Sequence, residues 1–66
     1  MEIFGYRMTY MTVYNLEVDD GDGNIELIKV EAMTEDEAIR LAEQQLLTIR
    51  PNADPELIVV ITITTE

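Results

Sequence analysis

The chain has no cysteine and no histidine, and only four lysine and arginine side chains among its 66 residues. Each absence removes a class of function. Without thiols there are no disulfides and no thiolate metal centre, and without imidazole the other common zinc ligand is gone as well. Four cations cannot offset fourteen anions near a phosphate backbone, whose neutralisation dominates nucleic-acid affinity. The longest apolar run, Leu57 to Ile61, is far too short to span a bilayer. Residues 1–18 show no basic start followed by an apolar stretch, so a secretory signal is not expected. A cytoplasmic, reducing setting fits this pattern.

What is present is acid. Fourteen Asp and Glu residues give a formal charge of −10, yet the chain is 47% hydrophobic. That apolar content separates it from acidic disordered tails, which combine high charge with low hydrophobicity. The charge also exceeds the magnitude of about 2–8 usual for a small domain, where net charge serves solubility. A strong negative field repels nucleic acid and attracts basic surfaces. The length fits a single domain over residues 1–66. A core of this size supplies only about 3–5 kcal/mol, which leaves oligomerisation or efficient packing as its support.

Hydrophobic periodicity gives the order of elements. Phe4, Tyr6, Met8, Tyr10, Tyr14, Leu16 and Val18 occupy even positions, so a strand is expected over roughly 5–18 with its even face buried. The run Asp19-Asp20-Gly21-Asp22-Gly23-Asn24 predicts a hairpin turn, because Gly takes positive φ freely and Asp or Asn side chains bond their own backbone. A second strand follows at about 25–32, with apolar residues on both of its faces and therefore an open register. Thr34-Glu35-Asp36-Glu37 is a capping box that starts a helix running to about Ile49. Its stripe is Ala38, Leu41, Ala42, Gln45, Leu46 and Ile49. Pro51 and Pro55 bound a loop, and a third strand is expected at about 57–65. The expected fold is α+β, a β-β-α-β domain with a three-stranded antiparallel sheet in order 2-1-3 and one helix on one face. The opposite face, carrying Met11 and Val13, has no helix to cover it, so weak homodimerisation is a further expectation.

Several residue groups invite a functional reading. Asp20, Asp22, Asn24 and Glu31 fall at offsets 1, 3, 5 and 12 of a calcium loop, but Ile25 stands where the sharp turn needs Gly and the flanks read as strands. A plain acidic hairpin turn is the better reading, and no metal or other cofactor is expected. Tyr6, Tyr10 and Tyr14 resemble a base-stacking platform, but the charge argues against it, and core packing under the helix is the better reading of at least two of them. No nucleophile–base pair, phosphate loop or carboxylate pocket stands out, so no enzyme activity is expected. The acids themselves remain. Asp19, Asp20, Asp22 and Glu26 surround the hairpin, and Glu35, Asp36 and Glu37 open the helix. These seven side chains, all expected on the surface, are the candidate contacts to a basic partner, with the hairpin group as the main contributor.

Small size, intense acidity and the strand–cap–helix stretch Ile28-Lys29-Val30-Glu31-Ala32-Met33-Thr34-Glu35-Asp36-Glu37-Ala38-Ile39-Arg40-Leu41-Ala42 resemble the short phage-encoded anti-CRISPR proteins that act as DNA mimics. The resemblance implies binding to the basic surface of a CRISPR effector complex, a type I effector by preference, in the cytoplasm of a bacterial host. No motif of that class maps onto numbered positions here. The alternative reading is a non-catalytic interaction module or homodimeric subunit that uses its sheet edge or open sheet face.

Overall fold

The computed structural model describes residues 11–66. Strand β1 runs Thr12–Asp19, β2 Ile25–Ala32, helix α1 Glu35–Ile49 and β3 Val59–Thr65, with a single 3-10 turn at Pro55–Leu57. The sheet order is β2-β1-β3 with both pairings antiparallel. The expected α+β architecture, strand order and helix bounds are therefore observed. The expected strand positions Phe4, Tyr6, Met8 and Tyr10 lie outside the described residues.

The helix lies on one face of the sheet and packs chiefly on β2 and β1. Parity decides what it covers. Even residues of β1 point to the helix, and Tyr14, Leu16 and Val18 are buried there. The hairpin pairs Leu16 with Ile28 and Tyr14 with Val30. That register puts Ile28, Val30 and Ala32 on the same buried face, which settles the choice the sequence left open. From the helix, Ala38, Ala42 and Leu46 complete the core. Two alanines at four-residue spacing let the helix approach the sheet closely, and Leu46 fills the space beyond them. Leu41 and Ile39 pack at the margin of this cluster, while Ile49 is 53% exposed and Gln45 is exposed. The stripe is therefore narrower than its periodicity suggests.

The start of α1 follows its capping sequence with one variation. The Glu37 amide donates to Thr34 Oγ1 at 3.1 Å, as the cap requires. The return bond reaches one residue further back, with the Met33 amide donating to Glu37 Oε1 at 2.9 Å. Glu35, Asp36 and Glu37 sit in the first turn, at the positive end of the helix dipole.

Strand β3 begins two residues later than its composition suggests. Asp54 accepts from the Glu56 amide at 3.0 Å, and this cap winds Pro55–Leu57 into the 3-10 turn. Between the pairs Glu17↔Thr62 and Val18↔Val60 the register slips, leaving Ile61 as an extra residue in a bulge. The helix leaves β3 largely uncovered, so Val60 and Ile63 are only partly buried.

Leu46, with no exposed surface, is the side chain whose loss should hurt most. Leu46→Ala is expected to cost about 2–5 kcal/mol through the cavity it leaves, and Leu41→Ala distinctly less, since Leu41 sits at the core margin. Urea denaturation of both variants checks the order, and equal costs would contradict this assignment of the core.

Candidate functional site: an acidic hairpin latched to the helix end

The hairpin loop is built by its own carboxylates. Asp20 Oδ1 accepts from the amides of Asp22 (2.8 Å) and Asn24 (3.2 Å), and Oδ2 accepts from Asn24 Nδ2 (3.1 Å). Asp19 Oδ1 similarly accepts from the amides of Gly21 (2.8 Å) and Gly23 (3.2 Å). Gly21 and Gly23 take φ of +97° and +89°, the left-handed region open to Gly. Gly21 is required twice over, because a Cβ there would stand 2.6 Å from Leu57 Cβ. The loop is thus pressed against the 3-10 turn that leads into β3.

Arg50, the helix C-cap, closes the arrangement. Its Nη2 and Nε donate to Glu26 Oε2 at 2.7 and 3.1 Å, and its Nε lies 3.5 Å from Asp20 Oδ2. The guanidinium therefore ties the end of α1 to the hairpin and to the start of β2. A cation at the carbonyl end of a helix is also favoured by the helix dipole. Asp20 is only 5% exposed, which overturns the expectation that every acid lies on the surface. Its carboxyl is held below the ordinary value of 3.8, first by the hydrogen bond from the Asp22 amide and further by Asn24 and Arg50.

The seven candidate contacts thus divide by what their carboxylates already do. Asp19 and Asp20 hold the loop, Glu26 pairs with Arg50, and Glu37 belongs to the helix cap. Asp22, Glu35 and Asp36 are exposed and make no side-chain hydrogen bond to another described residue. The two groups also stand apart. Helix α1 runs from the capping group back to the hairpin, so its 15 residues separate them by about 22 Å at 1.5 Å per residue. Asp54 and Glu56 join the hairpin end through the 51–58 segment, an addition that sequence reading missed.

The calcium pattern does not assemble. Asp20 spends its oxygens on loop amides, and Glu31 pairs with Val13 near the far end of the hairpin. Among the described residues no group of three acids converges as metal ligands. Tyr14 is buried in the core, and Tyr6 and Tyr10 lie outside the described residues. On the open face Lys29 Nζ pairs with Glu66 at 2.9 Å. That contact raises the Lys29 ammonium and lowers the Glu66 carboxyl, chiefly through the hydrogen bond between them. Asn15 Nδ2 donates to the same Glu66 carboxylate at 3.3 Å, and Thr62 Oγ1 donates to Glu17 at 3.1 Å. Among the described residues, no helix is long and apolar enough to cross a membrane. No family model, curated protein sequence or solved structure matches the chain.

The role of Asp20 has a measurable signature. A carboxyl whose folded pKa is depressed contributes stability above its unfolded pKa of about 3.9 and loses it as pH falls through the lower folded value. Asp20→Ala is expected to lower the melting temperature at pH 7 and to speed hydrogen exchange at the Asp22 and Asn24 amides. Its stability should also fall less steeply than wild type below about pH 4. Asp22→Asn is expected to change none of these. Melting curves from pH 2 to 7 and amide exchange check both variants, and an Asp20→Ala protein indistinguishable from wild type would contradict the latch.

Proposed function

We infer that this protein is an acidic inhibitor that occupies a basic surface evolved for nucleic acid, of the kind presented by a CRISPR effector to its target DNA. One observation carries the reading. Of the three cations among the described residues, two are already engaged by the protein's own acids, Arg50 by Glu26 and Asp20 and Lys29 by Glu66, which leaves Arg40 without an ion pair to a described residue. Thirteen of the fourteen acids lie within residues 11–66. The field of the molecule is therefore strongly negative, and among the described residues carboxylates with no side-chain partner are displayed at both ends of α1, Glu35 and Asp36 at one and Asp22 and Glu56 at the other, with Glu43 between them on the helix.

Such a surface would act through many weak contacts. Exposed ion pairs are worth about 0–1 kcal/mol each, so no single carboxylate should dominate, and the long-range field should speed encounter with a basic groove. Two acidic groups about 22 Å apart, each on a rigid element, would span several phosphate positions of such a groove. A type I effector is the preferred target within this class.

The residues for a clean test follow from the latch. Reversing Asp19, Asp20 or Glu26 would damage the hairpin, so the informative positions are Asp22, Glu35, Asp36 and Glu56. A variant with Asp22 and Glu56 changed to Lys, and Glu35 and Asp36 changed to the neutral Gln and Asn so that no cation is placed at the positive end of the helix dipole, is expected to keep its circular dichroism spectrum and to lose competition with target DNA for a purified type I effector. Asp22→Asn alone should weaken competition by about two- to fivefold at most, the equivalent of one rim contact. Undiminished competition by the folded quadruple variant would overturn the reading.

A further inference from the structure

The two edges of the sheet differ in chemistry. The β2 edge carries Glu26, Lys29 and Glu31, with Arg50 bound across Glu26. Charges of this kind are how natural edge strands avoid pairing with other chains. The β3 edge carries none: Val59–Thr65 reads Val-Val-Ile-Thr-Ile-Thr-Thr, seven residues without charge or proline and rich in β-branched side chains. Val59 is 56% exposed and Ile61 is 46% exposed. The acids beside the strand are engaged, Glu17 by Thr62 and Glu66 by Lys29.

We propose that the β3 edge is a self-association surface, where β3 of one copy pairs antiparallel with β3 of a second copy about a two-fold axis. The result is a continuous six-stranded sheet, β2-β1-β3 followed by its symmetry mate. Charge selects this occupant. A basic partner is drawn to the carboxylates at the helix ends, away from an uncharged strand. A second copy, at −10, is repelled along every other described element, since β1 carries Glu17 and Asp19, β2 carries Glu26 and Glu31, α1 carries Glu35, Asp36, Glu37 and Glu43, and the 3-10 turn carries Glu56. Among the described elements, β3 alone has no carboxylate of its own, and Glu66, which follows it, is paired with Lys29. Strand β3 also offers each copy the same uncharged, β-branched strand, as an isologous contact requires. The bulge at Ile61 bends the strand but leaves Thr62–Thr65 in regular ladder with β1. This inference does not rest on the inhibitor reading.

The test is sedimentation equilibrium of the full chain from about 10 μM to 1 mM, at about 0.05 and 0.5 M NaCl. Added salt shortens the screening length from roughly 14 to 4 Å and should strengthen a dimer held by backbone pairing between two acidic bodies. The expected result is a dimer that tightens at high salt, disappears in Ile61→Lys and in Val59→Lys, and persists in Leu27→Lys on the opposite edge strand. All three variants have the same net charge, so a difference among them cannot come from overall repulsion. Two variants on β3 guard against one that fails to fold, which circular dichroism reports. A wild-type chain that stays monomeric at 1 mM and 0.5 M salt would overturn the proposal, as would a dimer lost equally in Leu27→Lys. Protection from hydrogen exchange of the outward-facing β3 amides, those not bonded to β1, in a strictly monomeric sample would assign the edge to another segment of the same chain and overturn the proposal.

Discussion

The guanidinium of Arg50 is the constraint around which the rest of the molecule is arranged. It sits where α1 ends, and its two carboxylate partners lie on the hairpin loop and on β2. Through Asp20 it fixes the loop, and the loop in turn presses Gly21 against the segment that leads into β3. One cation thus sets the relation of three elements in a chain with very few cations. The penalty for placing Asp20 out of water is offset by four polar partners, a fully satisfied arrangement of the kind that makes a buried carboxylate tolerable. Removing Arg50 alone would leave two carboxylates close together with nothing between them, which is the costly way to break a partly buried ion pair.

The surface is strongly negative because acids outnumber cations fourteen to four, a balance that ion pairing leaves unchanged. Spending Arg50 and Lys29 on internal contacts leaves Arg40 as the one described cation without an ion pair to a described residue. The hairpin end gathers Asp22 and Glu56 beside the carbonyl end of α1, whose dipole adds negative potential there. At the other end, Glu35 and Asp36 stabilise the helix dipole while facing solvent. Acids at the amino end of a helix are thus compatible with both folding and display. At the hairpin the two roles fall to different residues, Asp20 folding the loop and Asp22 facing outward.

Much of the fold was legible in the sequence because its signals were local. The helix is written in Thr34 to Glu37 and in the spacing of Ala38, Ala42 and Leu46, and the hairpin in Gly21 and Gly23. What was not legible depended on contacts between distant residues. Ile25 and Leu27 are as apolar as Ile28 and Val30, and only pairing with β1 and cover from α1 decide which pair is buried. Leu57 reads as a strand residue by composition, yet the Asp54 cap and the close approach to Gly21 place it in a 3-10 turn. The bulge at Ile61 leaves no trace in composition. Asp20 is the instructive case. The even-numbered parity that buries Tyr14, Leu16 and Val18 continues directly to position 20, so the pattern that located the core also pointed at a buried aspartate. The density of acids around it led instead to the expectation of a solvated turn.

On the proposed reading, the molecule would work through its negative field set opposite a basic surface. The most direct test is calorimetric titration of the chain into a purified type I CRISPR effector at several salt concentrations between about 50 and 300 mM. An electrostatic contact made by several carboxylates predicts a dissociation constant that rises steeply with salt, by roughly tenfold or more across that range. A dissociation constant that stays flat across the same range, or an absence of binding at about 50 mM salt, would contradict the account.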